Sequence, residues 1–153
     1  MISISVANPL DIIEPDYVRL KLSARTVLEG EGIKEAKISL ALVDDKMIAD
    51  INKRFLDHDG PTDVITFPMS NPKAKKLEGE LVLGVNVAQR EAEERGHDVH
   101  TELCLYVIHG VLHLCGFDDR TKKDAAAMRR KEREYLTKLE LPDIADREEK
   151  DDD

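Results

Sequence analysis

Between Val99 and Cys115 the chain carries VHTELCLYVIHGVLHLC, whose central twelve residues, LCLYVIHGVLHL, are apolar on nearly every side of a helix. A surface helix shows one apolar stripe, whereas a helix apolar all round has to be enclosed by the rest of the fold. The run is also too short for the ~20 apolar residues that span a bilayer, and two histidines interrupt it. The chain therefore has to be built around this helix. Gly116 supplies its stop.

The flanking patterns supply the walls. ISISVAN (Ile2 to Asn8) alternates apolar and polar residues and reads as a strand. Pro15 and Asp16 open a helix to about Gly30, with Val18, Leu22, Val27 and Leu28 as its expected apolar face. Residues 36–43 (AKISLALV) form a second strand. Asp44 caps a helix with Met47, Ile48, Ile51 and Phe55 on its apolar face. DVITF (63–67), stopped by Pro68, and GELVLGV (79–85) are two further strands, separated by the polar segment 70–76. Helices follow at about 87–95, closed by Gly96, and at about 122–139, with Pro142 just beyond. The expected fold is α+β: a small mixed four-stranded sheet covered by about five helices, in one domain of residues 1–142. Residues 143–153 are expected to be an acidic, disordered tail.

With 153 residues, 41% hydrophobic and no Trp, the core has to rest on Leu, Ile and Val. Cys104 and Cys115 sit in apolar sequence and form no Cys-x-x-Cys pair, so they read as reduced core thiols of a cytoplasmic protein. The N-terminal residues show no basic leader, and no stretch is long enough to enter a membrane. The formal net charge of −9 argues against a polyanionic partner. Five of those charges fall within 143–153, however, so any RNA contact has to come from a local basic patch.

His109 and His113 are four residues apart, which on a helix places both imidazoles on one face within reach of one metal ion. The alternative is a pair of polar core histidines, each needing its own hydrogen-bond partner. Gly116 and the following Phe117-Asp118-Asp119 turn the chain back, so that a residue near position 119 can approach the same ion. Two helical ligands, a glycine turn and a third ligand beyond it make a zincin-like arrangement with one position left for water. Metalloproteases of the His-Glu-x-x-His type need a glutamate after the first histidine, and this chain has Gly110 there.

His109-Gly110-Val111-Leu112-His113-Leu114-Cys115-Gly116-Phe117-Asp118-Asp119 resembles the signature of the YbeY family, H-G-x-L-H-L-x-G-[FY]-D-H. Pro61-Thr62-Asp63-Val64-Ile65-Thr66-Phe67-Pro68 is similar to that family's P-T-D-V-L-S-F-P segment. Gly79-Glu80-Leu81-Val82-Leu83 resembles its G-D-I-V-I strand, and Met128 and Glu132 fit the helix after the site. The resemblance runs from Ile2 to about Leu141. It implies a metal-dependent hydrolase: a zinc endoribonuclease, one ion per chain, acting on single-stranded RNA. The implied process is ribosomal RNA maturation, notably at the small-subunit 3′ end, and ribosome quality control, with ribosomal proteins as further partners.

Two departures accompany the resemblance. Asp119 stands where the family has its third histidine, and it is the expected third ligand, with Asp118 as the alternative. Leu56 stands where many members carry an arginine before P-T-D, which leaves Arg54 and His58 as the nearest polar candidates for catalysis or RNA contact. The general base is then the metal-bound hydroxide or His58. Thr62 and Asp63 either face the cleft or form a turn and strand start. His97 and His100 are expected on the surface. Lys73, Lys75, Lys76, Arg120, Lys122, Lys123, Arg129, Arg130, Lys131 and Arg133 are available to phosphates, and no aromatic stacking platform is evident. The competing functions are a ribosome-assembly factor with a structural metal and a zincin-like metalloprotease.

Overall fold

A computed structural model describes residues 1–146. The elements run β1 (Ile2–Ala7), α1 (Tyr17–Gly30), β2 (Glu35–Val43), α2 (Asp45–Leu56), β3 (Val64–Pro68), β4 (Lys76–Gly84), α3 (Val85–Arg95), α4 (Val99–Leu114) and α5 (Lys122–Lys138). The strands form one mixed sheet in the order β1-β2-β4-β3. β1 and β4 run parallel to β2, and β3 is an antiparallel edge strand on β4. The fold is α+β, as the patterning implies.

Local chemistry explains the boundaries. Asp16, Asp44, Asp98 and Thr121 each cap a helix, accepting from the backbone N–H three residues on. Gly96 ends α3 in the left-handed conformation that only a residue without Cβ adopts freely. Along β1 the burial alternates, with Ile2, Ile4 and Val6 turned to the core and the intervening residues exposed.

The two faces of the sheet differ. Leu81 packs against Gly110 and Gly79 against Leu114, so α4 lies on the inner face with its C-terminal end over the start of β4. Every residue of α4 from Thr101 to Leu112 is buried. α1, α3 and α5 pack around it, which is the enclosure that an all-round apolar helix requires. On the outer face, α2 covers only Val43, Ile65 and Val82, through Ile48 and Ile51. Other outer positions, including Ser3, Ser5, Lys37 and Ser39, are polar and not buried.

Two helical faces differ from expectation. In α1 the buried stripe is Leu20, Ala24, Val27 and Leu28, spaced i, i+4, i+7 and i+8, while Val18 and Leu22 are exposed. In α2 only Ile48 is buried among the expected apolar residues, with Ile51 half-buried, because the helix sits at a corner of the sheet and leaves Met47 and Phe55 outside.

Residues 143–146, at the start of the expected tail, contact the rest of the fold. Ile144 and Ala145 are buried in the main core. Arg95 donates to the carbonyls of Ile144 and Asp146, and Arg133 pairs with Asp143 and Asp146. Apolar residues between acids can bind locally even where composition is unfavourable. Residues 147–153 of the expected tail lie outside the described residues. Ending the chain at Pro142 is therefore expected to cost about 2 kcal/mol or more, from the lost burial of Ile144 and Ala145. Ending it at Asp146 is expected to be nearly neutral. Urea unfolding of both truncated proteins distinguishes the two boundaries.

Candidate metal centre

His109 and His113 project from the last turns of α4, the buried end of which is held by Leu114 on Gly79. Their Nε2 atoms lie 3.0 Å apart, with the rings edge to face at 79°. Gly116, at φ 105°, reverses the chain after the helix. The reversal brings an Asp119 carboxylate oxygen to 3.9 Å from His109 Nε2. One ligand atom from each of the three residues falls within 4.8 Å of the others. Asp118 does not join them; its carboxylate accepts from the Arg120 N–H, within the turn.

The group fits a metal. A tetrahedral zinc ion with bonds of ~2.0–2.1 Å places its ligand atoms about 3.4 Å apart, and the 3.0 and 3.9 Å separations bracket that value. Burial, and after it the neighbouring His109, push His113 below the usual imidazole range. That favours the neutral form, which is the ligating one. Asp119 is partly exposed while His109 is buried, so the cluster is open on one side. An open side is what separates a catalytic from a closed structural site.

Behind the three-residue cluster stands a residue whose part the sequence pattern does not assign. Glu132 of α5 is fully buried, and one of its carboxylate oxygens is 2.6 Å from His109 Nδ1. Its other oxygen accepts from Arg129, one turn earlier on the same helix. A carboxylate on Nδ1 sets the tautomer and leaves Nε2 with its lone pair directed at the cluster. The available signal was an acid within an apolar stripe, since Met128, Glu132, Tyr135 and Leu136 form the buried face of α5.

Gly110 removes the metalloprotease alternative. Its position faces the sheet, away from the open side of the cluster, and a Cβ there would come within 2.7 Å of Leu81 Cδ2. No general base can project into the site from residue 110. Gly110→Glu, which creates His-Glu-x-x-His, is expected to lose about 3 kcal/mol or more through overpacking and a buried charge. A melt of that variant close to the parent's would contradict this packing.

The other singled-out residues lie elsewhere. Arg54 and His58 are exposed, in the last turn of α2 and the loop after it, and outside the metal group. α2 occupies the sheet face opposite α4. Asp63 accepts from Val64 N–H and Thr62 Oγ1 and, through its carbonyl, from Gly84 N–H, a strand-start arrangement at the far end of β4. His97 is not on the surface: it binds the fully buried Glu102, which Arg95 also contacts, joining the α3–α4 turn to the C-terminal segment. Burial raises the Cys104 thiol, and that of Cys115 to about 12, so neither is a reactive thiolate.

Comparison with known proteins assigns the family. Residues 14–140 match the family Endoribonuclease YbeY. The chain belongs to the YbeY family. It is 37% identical over 129 residues to an Endoribonuclease YbeY of Pelotomaculum thermopropionicum, covering 80% of this chain and 85% of that one. It is 33% identical over 139 residues to the Endoribonuclease YbeY of Carboxydothermus hydrogenoformans, covering 89% and 96%. A Thermotoga maritima protein solved in solution shares the fold at TM-score 0.59 and 26% identity, over 96% of this chain and all of that one. Like the YbeY relatives so named, the protein is a hydrolase. Among the described residues, no helix is long and apolar enough to cross a membrane.

Proposed function

We propose that the protein is a zinc-dependent endoribonuclease that cuts single-stranded RNA in the cytoplasm and serves ribosomal RNA maturation, including the small-subunit 3′ end. The observation that carries this reading is the convergence of His109, His113 and Asp119 on the open side of an otherwise enclosed helix, in a chain of this family. His109 Nε2, His113 Nε2 and an Asp119 oxygen would hold one zinc ion. Bound there, zinc supplies an acidified water and polarises a phosphoryl oxygen.

The chain's own residues prepare that site. Glu132 accepts the Nδ1 proton of His109 and so keeps Nε2 a donor of electrons to a metal. Arg129 donates to the other Glu132 oxygen and fixes its rotamer. Asp119 adds one negative charge to two neutral imidazoles, which lowers the electrophilicity of the centre compared with three histidines. Arg54 and His58 enter this reading as RNA contacts supported by their exposure, rather than as groups at the reacting phosphate.

A second reading, a ribosome-assembly factor that binds RNA and ribosomal proteins around a structural metal, is favoured by Leu56 standing where many family members carry an arginine. The partial exposure of Asp119 argues for the enzyme. The test is cleavage of a single-stranded RNA by full-length protein before and after chelation, with zinc returned. The enzyme reading expects cleavage that chelator abolishes and zinc restores. Tight RNA binding with one retained zinc and no cleavage would establish the second reading.

A further inference from the structure

The start of the parallel strands gathers lysines from two distant stretches of sequence. In the register, Glu35 of β2 pairs with Lys76 of β4, and Ser3 of β1 with Lys37 of β2. A shallow cleft of about 340 Å³ opens at this end of the sheet, lined by Lys34 and Lys75 with Gly32, Ile33 and Ala74. A second concavity of about 320 Å³ adjoins it on the outer face, lined by Ser3, Lys37 and Lys76. Glu35 borders both and is the acid that lines them.

Charge is the first argument. Lys34, Lys37 and Lys75 are exposed, and among the described residues none has a carboxylate within ion-pair distance. Lys76 meets Glu78 only at 3.9 Å. The nearby Glu31 is occupied by Lys131 and Tyr135. Four lysines thus stand beside two acids, Glu35 and Glu78, the latter opposite Lys37 in the register, in a chain whose net charge is −9. A local excess of this kind opposes the field of the rest of the molecule and selects an anion.

Position is the second. The loop that delivers Lys75 passes Gly116, where a Cβ would lie 3.5 Å from Pro72. Gly116 is three residues from both His113 and Asp119. The loop is held in shape rather than trailing: Ser70 Oγ accepts from Glu78 N–H at 2.9 Å, and Asn71 accepts from Lys73 N–H at 2.9 Å. The segment that carries Lys75 therefore runs beside the turn between His113 and Asp119. No aromatic ring lines the cleft, so its chemistry suits phosphates and not bases.

We infer that this sheet-end cleft binds the phosphodiester backbone of the RNA strand leading to the metal centre, through Lys34, Lys37, Lys75 and Lys76. The inference rests on the RNA-cleaving function proposed above. Each lysine that neutralises a phosphate on a single strand contributes ~0.7 to the slope of log affinity against log salt. Lys34→Ala, Lys75→Ala and Lys76→Ala together are expected to reduce that slope by about 2. Affinity at 0.1 M salt is then weaker by about 100-fold, taking binding to be equal at 1 M. A control protein carries Lys21→Ala, Lys46→Ala and Lys138→Ala, the same loss of charge on exposed parts of α1, α2 and α5.

The experiment titrates a single-stranded RNA against the full-length parent, cleft variant and control at several salt concentrations, with metal content and cleavage at saturating RNA measured alongside. The expected result is a reduced slope and raised KM in the cleft variant alone, with metal content and kcat retained. Equal slopes in cleft variant and control, in a parent that cleaves RNA, would overturn the cleft and leave the enzyme reading intact. A parent that neither binds nor cleaves RNA overturns both. Restoration of the slope by arginine at the same three positions would confirm that positive charge at this place is what acts.

Discussion

His113→Ala is expected to yield a folded protein that retains almost no metal and has lost its cleavage of single-stranded RNA. His113 is half-buried, its Nε2 meets His109 and no core side chain, and burial already disfavours its charged form. Removing it opens little core volume, and His109 keeps its bond to Glu132, so stability without metal changes little. The site, by contrast, falls from three protein ligands to two, below the number that catalytic zinc sites hold. His109→Ala should strip the metal equally but also unfold more readily, because the fully buried Glu132 loses one of its two partners. Metal content after dialysis, set beside the thermal melt of each variant, separates the two effects. Retention of one metal per chain in both proteins would remove His109 and His113 from the coordination shell.

Replacing Glu132 is expected to have the largest effect of any change outside the ligands. Glu132→Ala leaves the Arg129 guanidinium and His109 Nδ1 without their carboxylate at a fully buried position. Breaking a buried charge pair in this way costs about 3–5 kcal/mol. Glu132→Gln keeps the shape and a hydrogen-bond acceptor for His109 while removing the charge. It should fold, and bind metal about 10–100-fold more weakly, the usual cost of losing an orienting carboxylate. Equal metal affinity in Glu132→Gln and the parent would make Glu132 a structural ion-pair residue with no role in orienting His109.

Much of the frame was legible because local chemistry specifies it. The alternation of ISISVA, the capping aspartates, Gly96 and Gly116 each act over a few residues, and the elements begin and end where those signals stand. His109 and His113 were legible for the same reason, since helical geometry alone places residues four apart together. Glu132 was not, because its partner lies 23 residues away and an acid on a charged helix resembles a solvated one until the helix is packed. The exposed Val18, Leu22, Met47 and Phe55 reflect a similar limit: periodicity marks which residues share a face, while tertiary contact decides which face is covered. The fate of Ile144 and Ala145 depended on Arg95 and Arg133, which no pattern near the C-terminus announces. The lysine cleft was half visible, as Lys75 and Lys76, whereas strand register supplied Lys34 and Lys37.

The most direct test of the central claim is a diffraction measurement at the zinc absorption edge on crystals of the full-length protein purified without added chelator. The expected result is one anomalous peak per chain, within about 2.0–2.2 Å of His109 Nε2, His113 Nε2 and an Asp119 carboxylate oxygen, with a solvent oxygen in the fourth position. A peak coordinated through Asp118, a site closed by four protein ligands, or no peak between the two histidines would contradict the assignment of this cluster as an open catalytic metal centre.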